Sequence, residues 1–468
     1  MKRFVTLVFS AMILLSGCSL APEYHRPDAP IPQSWPEGEA YSDMATHDNL
    51  PAPLSLKWDA FFTDPGLQWV IQTALNNNRD LRLAILNVEK AAALYGIQKA
   101  ELFPSVNASA AMASQRVPAD LSRSGAATTS EEYSVNLGIA AWEIDFFGRI
   151  RSLKDSALEN YLATDEARRS TQILLISAAV TAYLNLVADH EYRNLAETTL
   201  QTQKDVYELI GRRYAVGLTT DLDLNRAKTQ VDAARGDVVR FTQRIAQDEN
   251  ALNLLVGSVA PVNILSVELS GIQGLHAISS GISSEILLNR PDIQAAEHRL
   301  KAANASIGAA RASLFPRIAL TTSLGTASSD LTGLFNSGSG TWSFVPQIVM
   351  PIFDARLWSA YDAARIEREI ALTQYEKAIQ SAFREVADAL AVYGTVDQQL
   401  SAQESLVNAV ETIYRHSQAR YTKGIDSYLS VLDAQRSLYS ARQVLVGLRL
   451  AKITNEVRLY AVLGGGGE

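Results

Sequence analysis

Cysteine is almost absent from this chain: Cys18 is the single one in 468 residues, so no intrachain disulfide framework can form. Beyond the N-terminus there is no run of 18 uninterrupted apolar residues, which argues against a helical membrane span. A basic block is also missing: 42 Lys and Arg stand against 50 Asp and Glu, a net charge of −8, and nothing supports nucleic-acid binding. The six histidines (His25, His47, His190, His276, His298 and His416) never fall at i,i+3 or i,i+4, so a metal site is not expected. No Gly-x-Ser-x-Gly elbow or phosphate-binding loop occurs either. The glycine run Gly464 to Gly467 precedes no helix and reads as a mobile tail. The expectation is therefore neither an enzyme nor a protein with a bound cofactor.

What is present begins at the N-terminus. Lys2-Arg3, an apolar run from Phe4 to Leu15 and then Ser16-Gly17-Cys18 have the order of a secretory signal. The apolar run is shorter than the ~20 residues a spanning helix needs. Cys18 directly after Ser16-Gly17 resembles the bacterial lipobox, which implies cleavage before Cys18 and its acylation. Several acyl chains, at ~0.8 kcal/mol per buried methylene, anchor stably where one chain does not. Ser19, rather than Asp, resembles lipoproteins sorted to the outer membrane.

The chain is written twice. Gly96, Ala100 and Leu102-Phe103-Pro104 recur 212 positions later as Gly308, Ala312 and Leu314-Phe315-Pro316. Phe146, Arg149, Arg213-Tyr214, Gly217 and Gly257 recur 207 positions later as Phe353, Arg356, Arg420-Tyr421, Gly424 and Gly464. In each half a helical stretch stops at the Phe-Pro. Two alternating segments follow. Val106, Ala108, Ala110 and Met112 form one, Tyr133, Val135, Leu137 and Ile139 the next; Ile318, Leu320, Thr322 and Leu324, then Trp342, Phe344 and Ile348, repeat the pattern. About ten residues suits a tilted membrane-spanning strand.

Proline is then missing from Gly148 to Tyr214 and from Asp354 to Tyr421, predicting helices of roughly 100 Å. Tyr375, Ile379, Ala382, Val386, Ala389, Tyr393, Val396 and Leu400 step by four and three, as do Leu224, Ala227, Val231, Ala234, Val238, Phe241 and Ile245 before a polar Asp248. That is a coiled-coil seam. Gly217 and Gly424 centre the turns at the helix tips. The predicted organisation is a signal peptide at 1–17, an N-terminal equatorial segment at 18–77, repeat 1 at 78–257, an equatorial linker at 258–288, repeat 2 at 289–464 and a flexible tail at 465–468. Strands are expected near 104–117, 132–145, 316–328 and 341–353, and long helices near 148–215, 220–257, 354–421 and 426–463. Four strands cannot close a barrel, so two, three or four copies must assemble if the strands lie in lipid. A soluble sheet packed on the helices remains the alternative.

The order of Cys18-Ser19-Leu20, Pro22, Tyr24 and Arg26-Pro27; Trp58, Phe61-Phe62 and Asp64-Pro65; Trp142 to Arg149; Asn289 to Ile293; Ala312 to Pro316; and Arg420-Tyr421 through Leu432 to Gln435 resembles the outer membrane efflux protein family. These are TolC-type ducts, and the likeness is to their lipoprotein branch serving tripartite drug-efflux pumps. The resemblance implies a mixed, mainly α fold: a TolC-like homotrimer with a twelve-stranded β-barrel in the outer membrane, continued by an α-helical coiled-coil barrel in the periplasm. It also implies a periplasmic adaptor and an inner-membrane pump as partners, and a passive exit duct for drugs or other small amphiphiles. Residues matching Arg420, Tyr421, Asp426 and Asp433 hold the periplasmic end shut in that family, and one matching Leu429 narrows it. Arg213, Tyr214, Asp221 and Asp223 are weaker first-half candidates, because Arg226 stands in the place of Asp433. Type I protein secretion, metal-ion efflux and a non-pore surface lipoprotein remain alternatives; five Met and six dispersed His form no metal-rich segment.

Overall fold

The computed structural model describes residues 20–41, 56–259, 261, 268–272 and 283–466. The signal segment, Cys18 and most of the linker lie outside the described residues. Two compact units cut across the repeats. The first takes residues up to 28 with 87–164 and 295–375, and the second takes 29–86, 165–294 and 376–468.

The elements run in the order α1 (Pro65–Asn77), α2 (Arg79–Ala100), β1 (Val106–Val117), β2 (Thr128–Glu143), α3 (Arg149–Ala215) and α4 (Asp221–Val256). The second repeat supplies α5 (Pro291–Ala312), β3 (Arg317–Ser328), β4 (Gly340–Val349), α6 (Ala355–Thr422) and α7 (Tyr428–Val462). The second strand starts earlier than its alternation suggests, because the polar residues Thr128 to Glu132 pair with Ala113 to Val117 of β1. The fourth ends earlier, at Val349, two residues before Pro351.

In the first unit the four strands form one antiparallel sheet in the order β1-β2-β3-β4. Its register aligns the apolar alternation of all four. Ala108 lies opposite Leu137, Leu137 opposite Leu324, and Leu324 opposite Trp342. Val106, Ile139, Thr322 and Phe344 form the next row of the same face. The opposite face carries Asn107, Gly138, Ser323 and Ser343 in one row, with the two serine hydroxyls 2.7 Å apart. Gly138 leaves room for the β3 backbone: a Cβ there would lie 2.4 Å from the Thr322 carbonyl oxygen. A bulge between Ile139 and Trp142, with Ala141 at φ 49°, shifts the β2–β3 register. Trp342 and Phe344 are both exposed in the single chain.

Below the sheet, Glu143 accepts two hydrogen bonds from the Arg149 guanidinium, at 2.9 and 2.8 Å, and also pairs with Arg317. Asp145 caps α3 by accepting from the Ile150 and Arg151 amides. The Trp142-to-Arg149 motif is thus a strand-to-helix joint. An N-terminal strap lies along α5. Arg311 donates to the Leu20 carbonyl at 3.0 Å, Asn304 to that of Pro22 at 2.8 Å, and Tyr24 to Glu297 at 3.2 Å. Arg26 and Lys301 pair with the same Glu297 carboxylate, which is only 3% exposed. Seven-residue steps along α5 bring all three contacts to one helix face. Gly308 keeps this face flat, since a Cβ would sit 2.7 Å from that of Ala21.

In the second unit, Asp64 caps α1 through the Leu67 amide at 2.9 Å, with Pro65 at the first helical position. The Phe61 and Tyr460 rings stack at 4.1 Å, against Phe62 at 4.7 Å from Phe61. Arg290 of the Asn-Arg-Pro-Asp motif is buried. It donates to the Val462 carbonyl at 2.6 Å and pairs with Asp292 at 2.7 Å and Glu385 at 3.0 Å. This fixes the end of α7. Gly464, Gly465 and Gly466 are not a free tail: all three are buried, and Gln172 donates to the Gly466 carbonyl at 2.9 Å. A Cβ on Gly465 would run into the Tyr460 ring, so small residues here serve close packing.

The strap contacts set a pH dependence. Burial alone would raise the Glu297 pKa, but the hydrogen bonds from Arg26 and Lys301 outweigh it and hold it below the usual range. A depressed carboxyl pKa gives stability that is complete above the unfolded value and is lost as pH falls through the folded one. Glu297→Ala is expected to cost about 1–3 kcal/mol by leaving Tyr24, Arg26 and Lys301 without their acceptor. Hydrogen exchange of residues 20–28 should accelerate in the variant; unchanged protection would show that the strap does not depend on Glu297.

Candidate functional site

The tips of the two helical hairpins lie together in the second unit. Both turns have the same backbone chemistry. After α3, the Gly217 amide donates to the Tyr214 carbonyl at 2.9 Å and the Leu218 amide to that of Arg213 at 2.8 Å. After α6, Gly424 donates to Tyr421 at 2.9 Å and Ile425 to Arg420 at 2.9 Å. These paired bonds are Schellman caps, and each needs a left-handed residue, supplied at φ 75° by Gly217 and 72° by Gly424. The sequence places glycine at the single position where a Cβ would be penalised.

The turn after α6 is closed by charge. Arg420 donates to both carboxylate oxygens of Asp426, at 2.6 and 3.0 Å. The Arg420 hydrogen bond holds the Asp426 carboxyl below its ordinary pKa against the opposing effect of burial, and the pair raises that of Arg420. The fork-to-fork geometry fixes the direction of both side chains. Tyr421 packs against Tyr428, ring centroids 5.5 Å apart.

The first-half turn is built differently. Arg213 does not pair with Asp221 or Asp223; its guanidinium lies 4.9 Å above the Tyr421 ring. The reason is legible in the duplication, since Thr219 stands where the second half has Asp426. Asp223 is occupied locally. It accepts from Thr219 and Thr220, each at 3.0 Å, while Thr220 caps the Asp223 amide at 3.2 Å. Tyr214 and Asp221 are exposed.

Five buried residues, Ile210, Ala227, Tyr428, Val431 and Leu432, join the two hairpins in one apolar cluster, with Leu224 and Tyr421 packed on it. The seam of α7 leaves the opposite face free. Leu429 and Asp433, one turn apart, are both exposed there, and no side chain among the described residues pairs with the Asp433 carboxylate. The structure therefore brings Arg420 and Asp426 together with Tyr421, and sets Leu429 and Asp433 on a separate outward face. Sequence reasoning missed Tyr428, although it stands three residues before Val431 at seam spacing. It also missed the bonds joining α4 to α7, Arg436 to Gln230 at 3.1 Å and Tyr439 to Asp237 at 2.9 Å.

The Tyr428 hydroxyl is buried without a hydrogen-bond partner, and burial, followed by the neighbouring Tyr421 and Tyr414, pushes its pKa up. Tyr428→Phe removes an unsatisfied polar group and is expected to be neutral or stabilising by about 1 kcal/mol in thermal unfolding. Gly424→Ala, which keeps every side-chain contact, is expected to destabilise the tip by about 1–2 kcal/mol through its left-handed backbone. Equal melting temperatures for Gly424→Ala and the parent would contradict the cap assignment.

The profile of the outer membrane efflux protein family matches residues 70–258 and 282–465. The chain is 47% identical over 467 residues to the probable efflux pump outer membrane protein TtgC of Pseudomonas putida, covering 99% of this chain and 96% of that one. It is 40% identical over 462 residues to the cation efflux system protein CusC of Escherichia coli O157:H7, covering 98% of each. A membrane protein from Pseudomonas aeruginosa has the same fold, with a TM-score of 0.89 at 39% identity over 96% of this chain and 98% of that one. The open state of the MtrE outer membrane channel of Neisseria gonorrhoeae superposes with a TM-score of 0.86 at 34% identity, covering 96% and 99%. Sheet, paired long helices and glycine-capped tips are thus the parts of a known channel fold, and the chain belongs to the outer membrane efflux protein family.

Proposed function

We propose that the chain is the outer-membrane duct of a tripartite efflux system, a passive gated exit that receives small amphiphilic compounds from an inner-membrane pump through a periplasmic adaptor. The observation that carries this reading is the sheet: one continuous apolar face across four strands, with β1 and β4 as its open edges. In lipid each unpaired backbone group costs several kcal/mol, so β4 of one copy pairs with β1 of the next. Three copies give twelve strands, an even number that bacterial barrels use. Cys18, ahead of the strap, carries the lipid that tethers each copy to the outer membrane.

The relatives are named for different cargoes, toluene for one Pseudomonas putida protein and cations for CusC. A wide duct touches its cargo loosely, and amphiphilic drugs fit a chain without a metal-rich segment better than cations do. The gate is the hairpin tip. Threefold symmetry turns Asp433 and Leu429 into rings, a carboxylate ring that draws cations and an apolar ring that narrows the path. The Arg420–Asp426 pair and the Tyr421–Tyr428 contact hold each tip in its closed direction, and the free helical faces receive the adaptor.

Two measurements test this. Purified protein in a planar bilayer should conduct as a trimer, and a non-pore surface lipoprotein would give no conductance. Arg420→Ala together with Asp433→Ala should raise single-channel conductance several-fold and admit a large solute that the parent excludes. Parent-like conductance and exclusion in the double variant would remove the gate assignment while leaving the duct intact.

A further inference from the structure

Charge on the polar face of the sheet is confined to two levels. Among the paired strand residues of that face, from Asn107 and Ser109 on β1 to Ser343 and Gln347 on β4, the charged side chains are Glu132, Glu143 and Arg317. Glu132 lies toward the loop end of β2, roughly 30 Å along the strand from the other two. Glu143 and Arg317 meet at the foot, where β2 leads into α3.

The two residues reach this face by different routes. Arg317 opens β3 opposite Val349, and the unbroken β3–β4 register puts it on the side of Ser323 and Ser343. Glu143 would point the other way, since it alternates in step with the apolar Leu137 and Ile139 of its own strand. The bulge reverses it. With one residue added between Ile139 and Trp142, Trp142 pairs with Leu320 on the apolar face and Glu143 with Ala319 on the polar one. Ala141, inside the bulge, gives its amide to Thr321 Oγ1 at 3.1 Å.

Turned to this side, Glu143 is claimed by two guanidiniums. Arg149 donates to both of its oxygens, at 2.9 and 2.8 Å, and Arg317 pairs with it through Nε. The carboxylate is 9% exposed, whereas the Arg149 and Arg317 side chains are 26% and 63% exposed. Two positive groups against one buried acid leave positive charge over, and Arg317 presents it to water. Of the nearby acids, Asp145 is paired with Arg151 at 3.2 Å, and Glu101 is held by Gln98 at 2.7 Å. Because β3 is an inner strand of the sheet, a neighbouring copy joined at the edges does not cover Arg317.

From this geometry we infer that Arg317, backed by Glu143 and Arg149, forms a cationic collar on the lumen face at the foot of the barrel, which favours the passage of anions and of amphiphiles with anionic head groups. The inference rests on the duct reading, which turns the apolar face to lipid and this face to the lumen. Assembly repeats the group once per copy, and a ring of Arg side chains attracts anions into a pore. The duplication adds no second ring. Ser105 stands where repeat 2 has Arg317, and Met350 stands where repeat 1 has Glu143, so each repeat supplies one member of the pair.

A guanidinium stays charged at any working pH, so the preference should respond to salt, which screens it over about 10 Å at 0.1 M and about 3 Å at 1 M. The test is the reversal potential of the purified protein in a planar bilayer across a KCl gradient near 0.1 M. Asp433→Ala serves as the background, so that the tip carboxylates do not set the value. In it Arg317→Gln is expected to lower the chloride-to-potassium permeability ratio about two- to threefold. Arg317→Glu should lower it further, and Arg317→Lys should retain the background ratio. Near 1 M salt all of these differences should collapse. If Arg317→Gln fails to assemble, Glu143→Gln takes its place: it keeps both arginines, removes the buried negative charge and should raise the ratio. An unchanged ratio in the conducting variants, a difference that persists at 1 M, or a Lys variant that behaves as the Gln one overturns the collar. A parent that does not conduct overturns the duct reading instead.

Discussion

Along the outer edges of β1 and β4 run backbone N–H and C=O groups that no other strand among the described residues pairs. In water such edges would be tolerable; in hydrocarbon they are not. The shared register makes the demand coherent, because the rows Ala108-Leu137-Leu324-Trp342 and Val106-Ile139-Thr322-Phe344 lie on one face that suits lipid. Closure by further copies satisfies the edges and leaves the serine, asparagine and glycine rows on the other face. The remaining architecture serves this constraint: long helices continue each β-hairpin, and a strap pinned by Glu297 ties the N-terminal segment to α5.

Duplication gives two similar hairpins, and the structure uses their differences. Both tips end in a left-handed glycine with the same pair of cap bonds. Only the second follows its turn with an acid that Arg420 can reach, since Thr219 replaces it in the first. Arg213 is thereby left to lie on Tyr421, and one hairpin supports the other. Higher on the seam the halves differ again, with Asp248 in the first and a buried Asn455 in the second, which donates to the Ala389 carbonyl at 3.0 Å. A change at one equivalent position, Thr219 against Asp426, separates a charge-paired tip from a supporting one.

Much of this could be read before any coordinates. Period-two alternation located four strands, the proline-free stretches located α3 and α6, and the glycines located the tips, because each signal is local and repeated. Boundaries set by pairing rather than pattern were misplaced: β2 begins in the polar stretch Thr128 to Glu132, where only its partner strand decides. Composition also misled at the C-terminus. Gly464 to Gly466 look mobile by type but are buried beside Tyr460, which leaves no room for a Cβ.

What the sequence determined by itself was the list of parts: two repeats of strands and long helices, and two glycine turns. Those follow from backbone sterics and hydrophobic period, which act between near neighbours. Only the tertiary structure decided which groups meet. It paired Arg420 with Asp426 and left Asp433 free, committed Asp223 to a cap and set Arg213 on Tyr421. Those outcomes depend on the rotation of each helix about its axis, which is fixed by the combined packing of residues far apart in the chain.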